Sequence, residues 1–211
     1  MKIFLGTDHT GIELKNAVKD FLEKAGHDVH DCGAYEYDKD DDYPDVISKA
    51  AEGVSETEGS YGFIFGGSGQ GEQMTANKYP GVRCALFYAP AVPTTTVDIS
   101  GKESHDPFEI IRLTRQHNYA NMLSLAVRFL TKEDVLMAVK LFLETPISHE
   151  ERHVRRVEKI TKIEVGIHAK LIKKNSLSKA PPSNTQAEQS WVEIHPYHYF
   201  PIPALSMSYK K

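Results

Sequence analysis

The hydrophobic residues of the first 165 positions switch repeatedly between two periods, and no other feature of the chain constrains its fold as tightly. Residues 2–6 form a short apolar run; Ile12, Leu14, Val18, Phe21 and Leu22 then recur at helical spacing and stop at Gly26. The pattern repeats as a strand over 29–32, a helix over 43–54 opened by Pro44, a strand over 61–65 and a helix from about 72 to 78. A strand over 82–88, a helix over 108–116, a strand over 122–127 and a helix over 132–144 follow, and a terminal helix runs to about residue 164. Repeated strand-helix units predict an α/β/α sandwich around a parallel, doubly wound sheet. Ligands of such folds sit beyond the carboxyl ends of the strands, which directs attention to the loops at 6–11, 33–43, 66–72, 89–107 and 128–131.

Composition sets outer bounds. With 211 residues, 40% hydrophobic and 26% charged, the chain suits one compact domain with an appendage and excludes a disordered or fibrous polypeptide. No stretch approaches the roughly 18 apolar residues of a membrane span, and the opening run is too short for a secretory signal, so the expected location is cytoplasmic. Cys32 and Cys84 can form neither a disulfide framework nor a four-ligand zinc site and read as reduced thiols. A net charge of −4 removes the usual electrostatic motive for binding nucleic acid. That charge is uneven: residues 166–211 hold six lysines against Glu188 and Glu193, a net +4, which leaves −8 for residues 1–165. A boundary is expected there, between a domain over 1–165 and a partly flexible extension over 166–211. Within the extension, 177–190 reads as a polar linker, and the aromatics and prolines of 191–209 as a segment that either docks or stays loose.

Four of the clusters carry chemistry. The loop Gly66, Gly67, Ser68, Gly69, Gln70, Gly71 has four glycines in six positions, so its amides can converge on an anion or an oxyanion. Neither a dinucleotide fingerprint nor a Walker A loop fits, because both need another residue where Glu72 stands. A carboxylate there would repel a polyphosphate but is suited to taking a proton from carbon while the amides hold the resulting enolate oxygen. The competing reading is a tight turn with an acid in the first turn of a helix. After the first strand, Asp8 and His9 could hold sugar hydroxyls, a phosphate or a ring oxygen, or simply cap the next helix. In the terminal helix Arg152 and Arg156 share a face, a spacing suited to clamping phosphate, although Glu151 and Arg155 also fit a solvated i, i+4 pair. The H-E-x-x-H match at 149–153 is a poor zinc site, because three arginines lie within three residues of His153. Finally, His117 and Asn118 end a helix, either as a group whose cationic form is favoured there or as a plain helix stop.

Taken in order, G-T-D-H-T-G (6–11), D-Y-P-D (42–45), G-G-S-G-Q-G-E-Q-x-x-A-N-K (66–78), G-V-R-C-A-L (81–86), H-N-x-A-N (117–121) and R-H-V-R-R-V-E-K-I (152–160) are similar to the ribose-5-phosphate isomerase B family of sugar-phosphate isomerases over residues 1 to about 163. The resemblance implies a Rossmann-like fold and interconversion of ribose 5-phosphate and ribulose 5-phosphate through a cis-enediolate, without metal or organic cofactor. It also implies a homodimer or dimer of dimers whose active sites are shared between subunits. Many members carry a cysteine base at the position of Gly66; this chain matches the subtype that uses the glutamate, which makes Glu72 the base. By the same resemblance Gly67 to Gly71 form the anion hole with Ser68 supporting the substrate, and Asp8 and His9 contact sugar and phosphate. His117 from the partner, with Asn118 beside it, assists ring opening; Arg128, Arg152, His153 and Arg156 bind phosphate or line the site, and Tyr43 joins them. A hexose 6-phosphate, allose or galactose, and a binding protein without turnover are the alternatives.

Three stretches depart from that pattern, the first being the extension after Gly166, which exceeds the family's typical length. Residues 89–107 are longer than the family's direct entry into the next helix and are expected at the mouth of the site, as a lid, a specificity loop or part of the subunit interface. The acidic run 36–42 reads as a solvated loop and lacks the glycine and terminal glutamate of a calcium loop.

Overall fold

Runs such as Ile3-Phe4-Leu5 and Phe63-Ile64-Phe65 are too apolar to face water on either side, and each becomes a strand covered on both faces. In a computed structural model, which describes residues 1–178, the strands are β1 (Lys2–Thr7), β2 (Asp28–Asp31), β3 (Tyr61–Gly66), β4 (Cys84–Phe87) and β5 (Met122–Ala126). All pair in parallel, in the order β2-β1-β3-β5-β4. The helices are α1 (Ile12–Lys24), α2 (Tyr43–Glu56), α3 (Gln70–Ala76), α4 (Glu109–Asn118), α5 (Lys132–Glu144) and α6 (Glu151–Ser178).

Alternate strand residues feed two cores. Ile3, Leu5, Phe63, Phe65, Leu123 and Leu125 pack on one face with α1, α4 and α5, whereas Phe4, Ile64 and Met122 pack on the other with α2 and α3. Each fully buried side chain of this size contributes ~1.5–3 kcal/mol from burial. Because α1 leaves β1 on one face and α3 leaves β3 on the other, the neighbouring strands β1 and β3 form a topological switch point. Their two following loops open a crevice at the carboxyl edge of the sheet.

Most element ends fall within two residues of the sequence pattern, and three differences have a clear consequence. Helix α3 starts two residues early, because Gly69 turns the chain with a left-handed φ of 71°. Strand β4 is shorter than its apolar run. Helix α6 does not stop near 164 but continues without a break through Gly166, as Ile160, Ile163, Ile167 and Leu171 prolong a helical period across the change in charge. The rest of the expected linker beyond 178 and the aromatic segment 191–209 lie outside the described residues.

A buried cation ties the loop after β2 to this frame. Lys15 of α1 has no exposed surface; its Nζ lies 2.5 Å from Asp31 Oδ1 and 5.1 Å from the centre of the Tyr35 ring. Asp31 also accepts the Gly33 amide at 3.0 Å, while the Thr7 amide donates to Gly33 O at 2.9 Å and the Thr7 carbonyl accepts the Ala34 amide at 2.7 Å. The chain leading toward 36–42 is thereby held beside the end of β1.

Candidate active site

The glycine loop after β3 is shaped by where its carbonyls go. Gly66 O and Gly67 O accept the amides of Val127 and Arg128, and Gly69 O accepts the Ser124 hydroxyl at 2.7 Å and the Gln73 amide. In a trans peptide the next N–H points opposite to the carbonyl, so the amides of Gly67 and Ser68 face away from β5, toward the crevice, as does that of Gln70, which also donates to Ser68 Oγ at 3.4 Å. The glycines are needed for space. A Cβ on Gly69 would meet Leu86 Cδ1 at 2.8 Å, one on Gly71 the Tyr43 ring at 2.6 Å, and one on Gly67 the Arg128 guanidinium at 3.0 Å. Tyr43 and Arg128 thus lie close against the loop.

Glu72, in the first turn of α3, is buried rather than at the rim, with 5% of its surface exposed. Its carboxylate occupies the volume that a side chain at residue 66 would take: a Cβ built on Gly66 would stand 1.9 Å from Oε1 and 2.6 Å from Oε2. A side chain at 66 and the carboxylate of Glu72 are therefore alternative ways of filling one place. The sequence left open whether burial or the amides and arginines would set its acidity. Burial wins: the Glu72 pKa is raised, with the Asp8 carboxylate pushing the same way and its own amide and Arg128 pulling back. A carboxylate so placed is a stronger base than one in water.

Across the crevice, at the end of β1, Thr7 is fully buried and donates its hydroxyl to Phe65 O, which fastens this loop to β3. Asp8 is nearly buried, and its Oδ1 accepts the Thr10 amide at 2.9 Å. His9 meets a residue that sequence reasoning passed over: Asp41 Oδ2 accepts the His9 amide at 2.9 Å and Oδ1 lies 2.5 Å from His9 Nδ1. That hydrogen bond raises the His9 pKa above its ordinary value. Asp8, His9 and Asp41 bring three metal-ligating atoms within 4.8 Å. The Asp41–His9 bonds and the Asp8–Thr10 bond already account for that grouping.

The remaining candidates gather elsewhere. His117 and Asn118 end α4, and only three residues separate them from the start of β5. They lie at the amino edge of a sheet whose carboxyl edge carries Glu72. The five residues of β5, at ~3.3 Å each, put roughly 16 Å between the two edges. The His117 ring stacks on that of the buried His153, with centroids 4.1 Å apart, and His153 Nδ1 lies 3.0 Å from Ser148 Oγ. Arg152 Nε pairs with Glu150 at 2.7 Å, and Arg156 is exposed. Burial lowers the His117 pKa, helped by His153 and Arg152, so its ring is neutral at pH 7. The long loop reaches this cluster: Val97, Asp98 and Lys102 join Gln116, His117 and His153 in lining a cavity of about 260 Å³. Helix α6 begins at Glu151 and leaves His149 outside, so the two histidines of the H-E-x-x-H match do not stand as neighbours one helical turn apart.

Residues 3–160 match the model of the Ribose/Galactose Isomerase family. The chain is 38% identical over 164 residues to ribose-5-phosphate isomerase B of Mycolicibacterium paratuberculosis, covering 78% of this chain and 92% of that protein. It is 34% identical over 163 residues to the probable ribose-5-phosphate isomerase B of Mycoplasma genitalium, covering 77% and 95%. The crystal structure of ribose-5-phosphate isomerase B from Mycoplasma genitalium with bound ribulose 5-phosphate superposes with a TM-score of 0.66 at 32% identity, over 77% of this chain and 95% of that one. The type B enzyme of Trypanosoma cruzi gives 0.66 at 33%, over 79% and 99%. Among the described residues no helix is long and apolar enough to cross a membrane. A parallel α/β sheet with an acid set over a glycine loop at its switch point, matched along most of its length to these proteins, belongs to the ribose/galactose isomerase family.

Proposed function

We propose that this protein interconverts ribose 5-phosphate and ribulose 5-phosphate, with Glu72 as the proton shuttle. One observation carries the reading: the Glu72 carboxylate is buried over Gly66, beside amides turned to the crevice. On the open-chain aldose, Glu72 removes the C2 hydrogen as a proton. The electron pair forms the C1–C2 double bond, and the C1 carbonyl becomes an oxyanion facing the amides of Gly67, Ser68 and Gln70. Return of the proton to C1, with transfer of the O2 proton to O1, yields the ketose. Burial suits this role by making the carboxylate more basic.

The two edges of the sheet suggest a shared site. One chain cannot bring His117 to its own Glu72, because the length of the sheet separates them, whereas a symmetric dimer can place the amino edge of one copy over the crevice of the other. In that arrangement neutral His117 of the partner subunit accepts the anomeric hydroxyl proton and returns it to the ring oxygen as the C1–O4 bond breaks and the C1 carbonyl forms, with Asn118 beside it. Arg152 and Arg156, steadied by the packing of His153, then meet the substrate phosphate together with His9 and Arg128. Asp8 and Tyr43 line the sugar, and Ser68 supports it. With Cys32 and Cys84 unpaired, we place the reaction in the cytoplasm.

The long loop favours a second arm for the test, because its Val97, Asp98 and Lys102 add a wall beside His117 and the family spans pentose and galactose isomerases. Purified protein is assayed on ribose 5-phosphate, allose 6-phosphate and galactose 6-phosphate. Turnover of ribose 5-phosphate well above the hexose phosphates is expected. Preference for a hexose phosphate would move the substrate assignment, and no turnover of any would leave a binding protein.

A further inference from the structure

We propose that Asp41 is a positioning residue, fixing the ring of His9 so that its Nε2 faces the phosphate of the substrate. What His9 faces rests on the isomerase reading above; the pairing rests on the geometry. Asp41 belongs to an acidic run that as sequence reads as solvent-facing, and its neighbour behaves that way: the Asp40 side chain is 74% exposed beside Lys39. Asp41 is 17% exposed. The inversion has a local cause. Asp38 Oδ1 accepts the Asp40 amide at 3.0 Å and its carbonyl accepts the Asp41 amide at 3.3 Å, a turn that swings the next carboxylate back toward β1. There Asp41 takes the backbone and the ring of His9 with separate oxygens, while the Tyr37 ring meets the imidazole edge-on at 5.4 Å. The ring is held along one side and against one edge.

With Nδ1 bound to a carboxylate, the neutral ring carries its proton on Nδ1, and Nε2 is left for a ligand; among the described residues it has no hydrogen-bond partner. The charged groups around His9 are Asp41 and Asp8, which favour the imidazolium, and Arg128, which opposes it; the phenol of Tyr37 adds an uncharged group. In its protonated form the ring presents one Nε2–H donor, beside the Arg128 guanidinium, to a phosphate dianion. At higher pH the same nitrogen exposes a lone pair and repels phosphate oxygens.

The test uses the full chain and three variants, Asp41→Asn, His9→Gln and the double variant. The His9 ring is followed by NMR across pH 5.5–9, inorganic phosphate serves as the anion probe, and kinetics on ribose 5-phosphate run in parallel. In the wild type, His9 is expected to titrate above 6.5 and to hold the Nδ1–H tautomer when neutral, and its signal is expected to move on adding phosphate. Asp41→Asn is expected to lower the midpoint, because the hydrogen bond that raises it is weakened. It should raise KM and the inhibition constant of phosphate about tenfold at pH 7.5, leaving kcat within about threefold. In the His9→Gln background it should add nothing. An Nε2–H tautomer in the wild type overturns the proposal even if the variant fails to fold. So does an unshifted midpoint, or an equal loss in the His9→Gln background. Should the wild type turn over no sugar phosphate, the isomerase reading fails while the titration and the phosphate response still decide the pairing.

Discussion

The crevice at the carboxyl edge and the histidine cluster at the amino edge are built from opposite kinds of interaction. In the crevice, backbone dictates side-chain position: loop carbonyls anchored on β5 aim the amides, and the lack of a side chain at Gly66 and Gly67 makes room for Glu72 and Arg128. At the amino edge side chains lean on side chains, His117 on His153 and His153 on Ser148, beside an open cavity. The electrostatics diverge accordingly. The crevice raises the pKa values of Glu72 and His9, whereas the cluster lowers that of His117. One region is preorganised by its own backbone, and the other sets its histidines beside an open cavity.

The harshest way to break that contrast is to remove the crevice's acid. Glu72→Gln keeps the shape but cannot take a proton, and kcat is expected to fall at least about a hundredfold with KM little changed. Normal turnover in steady-state kinetics would end the assignment of Glu72. Gly66→Ala asks the same question without touching the acid. The added carbon would lie 1.9 Å from the carboxylate, so the acid must move. A shift of about 1 Å is expected to lower kcat ten- to hundredfold, with the fold retained by circular dichroism. Full activity would show that the seat over Gly66 is irrelevant to turnover.

Dependence of one region on the other chain's copy of the second is tested by mixing. In a dimer formed from Glu72→Gln and His117→Ala chains, one shared site carries both changes and the other carries neither. Two nearly inactive proteins, unfolded and refolded together at equal amounts, should therefore recover about a quarter of wild-type activity. If each chain builds its own site, the mixture stays as inactive as its parts.

How much of this could be read from the sequence follows the same division. The order of strands and helices, the parallel sheet and the glycine loop with Glu72 were legible, because each depends on neighbours along the chain. The swap that puts β5 between β3 and β4 was not, since strand order is settled by packing. Asp41 was missed because what sets it apart from Asp40 is a turn and a histidine 32 residues away. Lys15 likewise looks like an ordinary polar position of α1 until Asp31 is brought beneath it. The end of α6 was not legible near 164, because the change in charge at 166 governs solvation whereas the apolar period sustains the helix to Ser178. As for the long loop, its length marked it as functional, but only the fold shows Val97 and Asp98 beside His117.

The smallest expected effect concerns stability, and there the two regions carry opposite signs. The folded-state pKa of Glu72 lies above its unfolded value, so its contribution to stability is fully present below the unfolded pKa and is lost as pH rises through the folded one. At pH 7 the buried charge is a burden, and Glu72→Gln is expected to raise Tm by about 2–4 °C there, the equivalent of ~1 kcal/mol, with the gain shrinking toward pH 4. His117 is depressed instead, so its contribution is present above the unfolded pKa and lost as pH falls through the folded one. His117→Gln should therefore leave Tm unchanged at pH 7 and raise it slightly near pH 5. Calorimetry of both variants at the two pH values separates the cases: if both gain most at the same pH, the contrast between a preorganised crevice and an open histidine cluster loses its electrostatic basis.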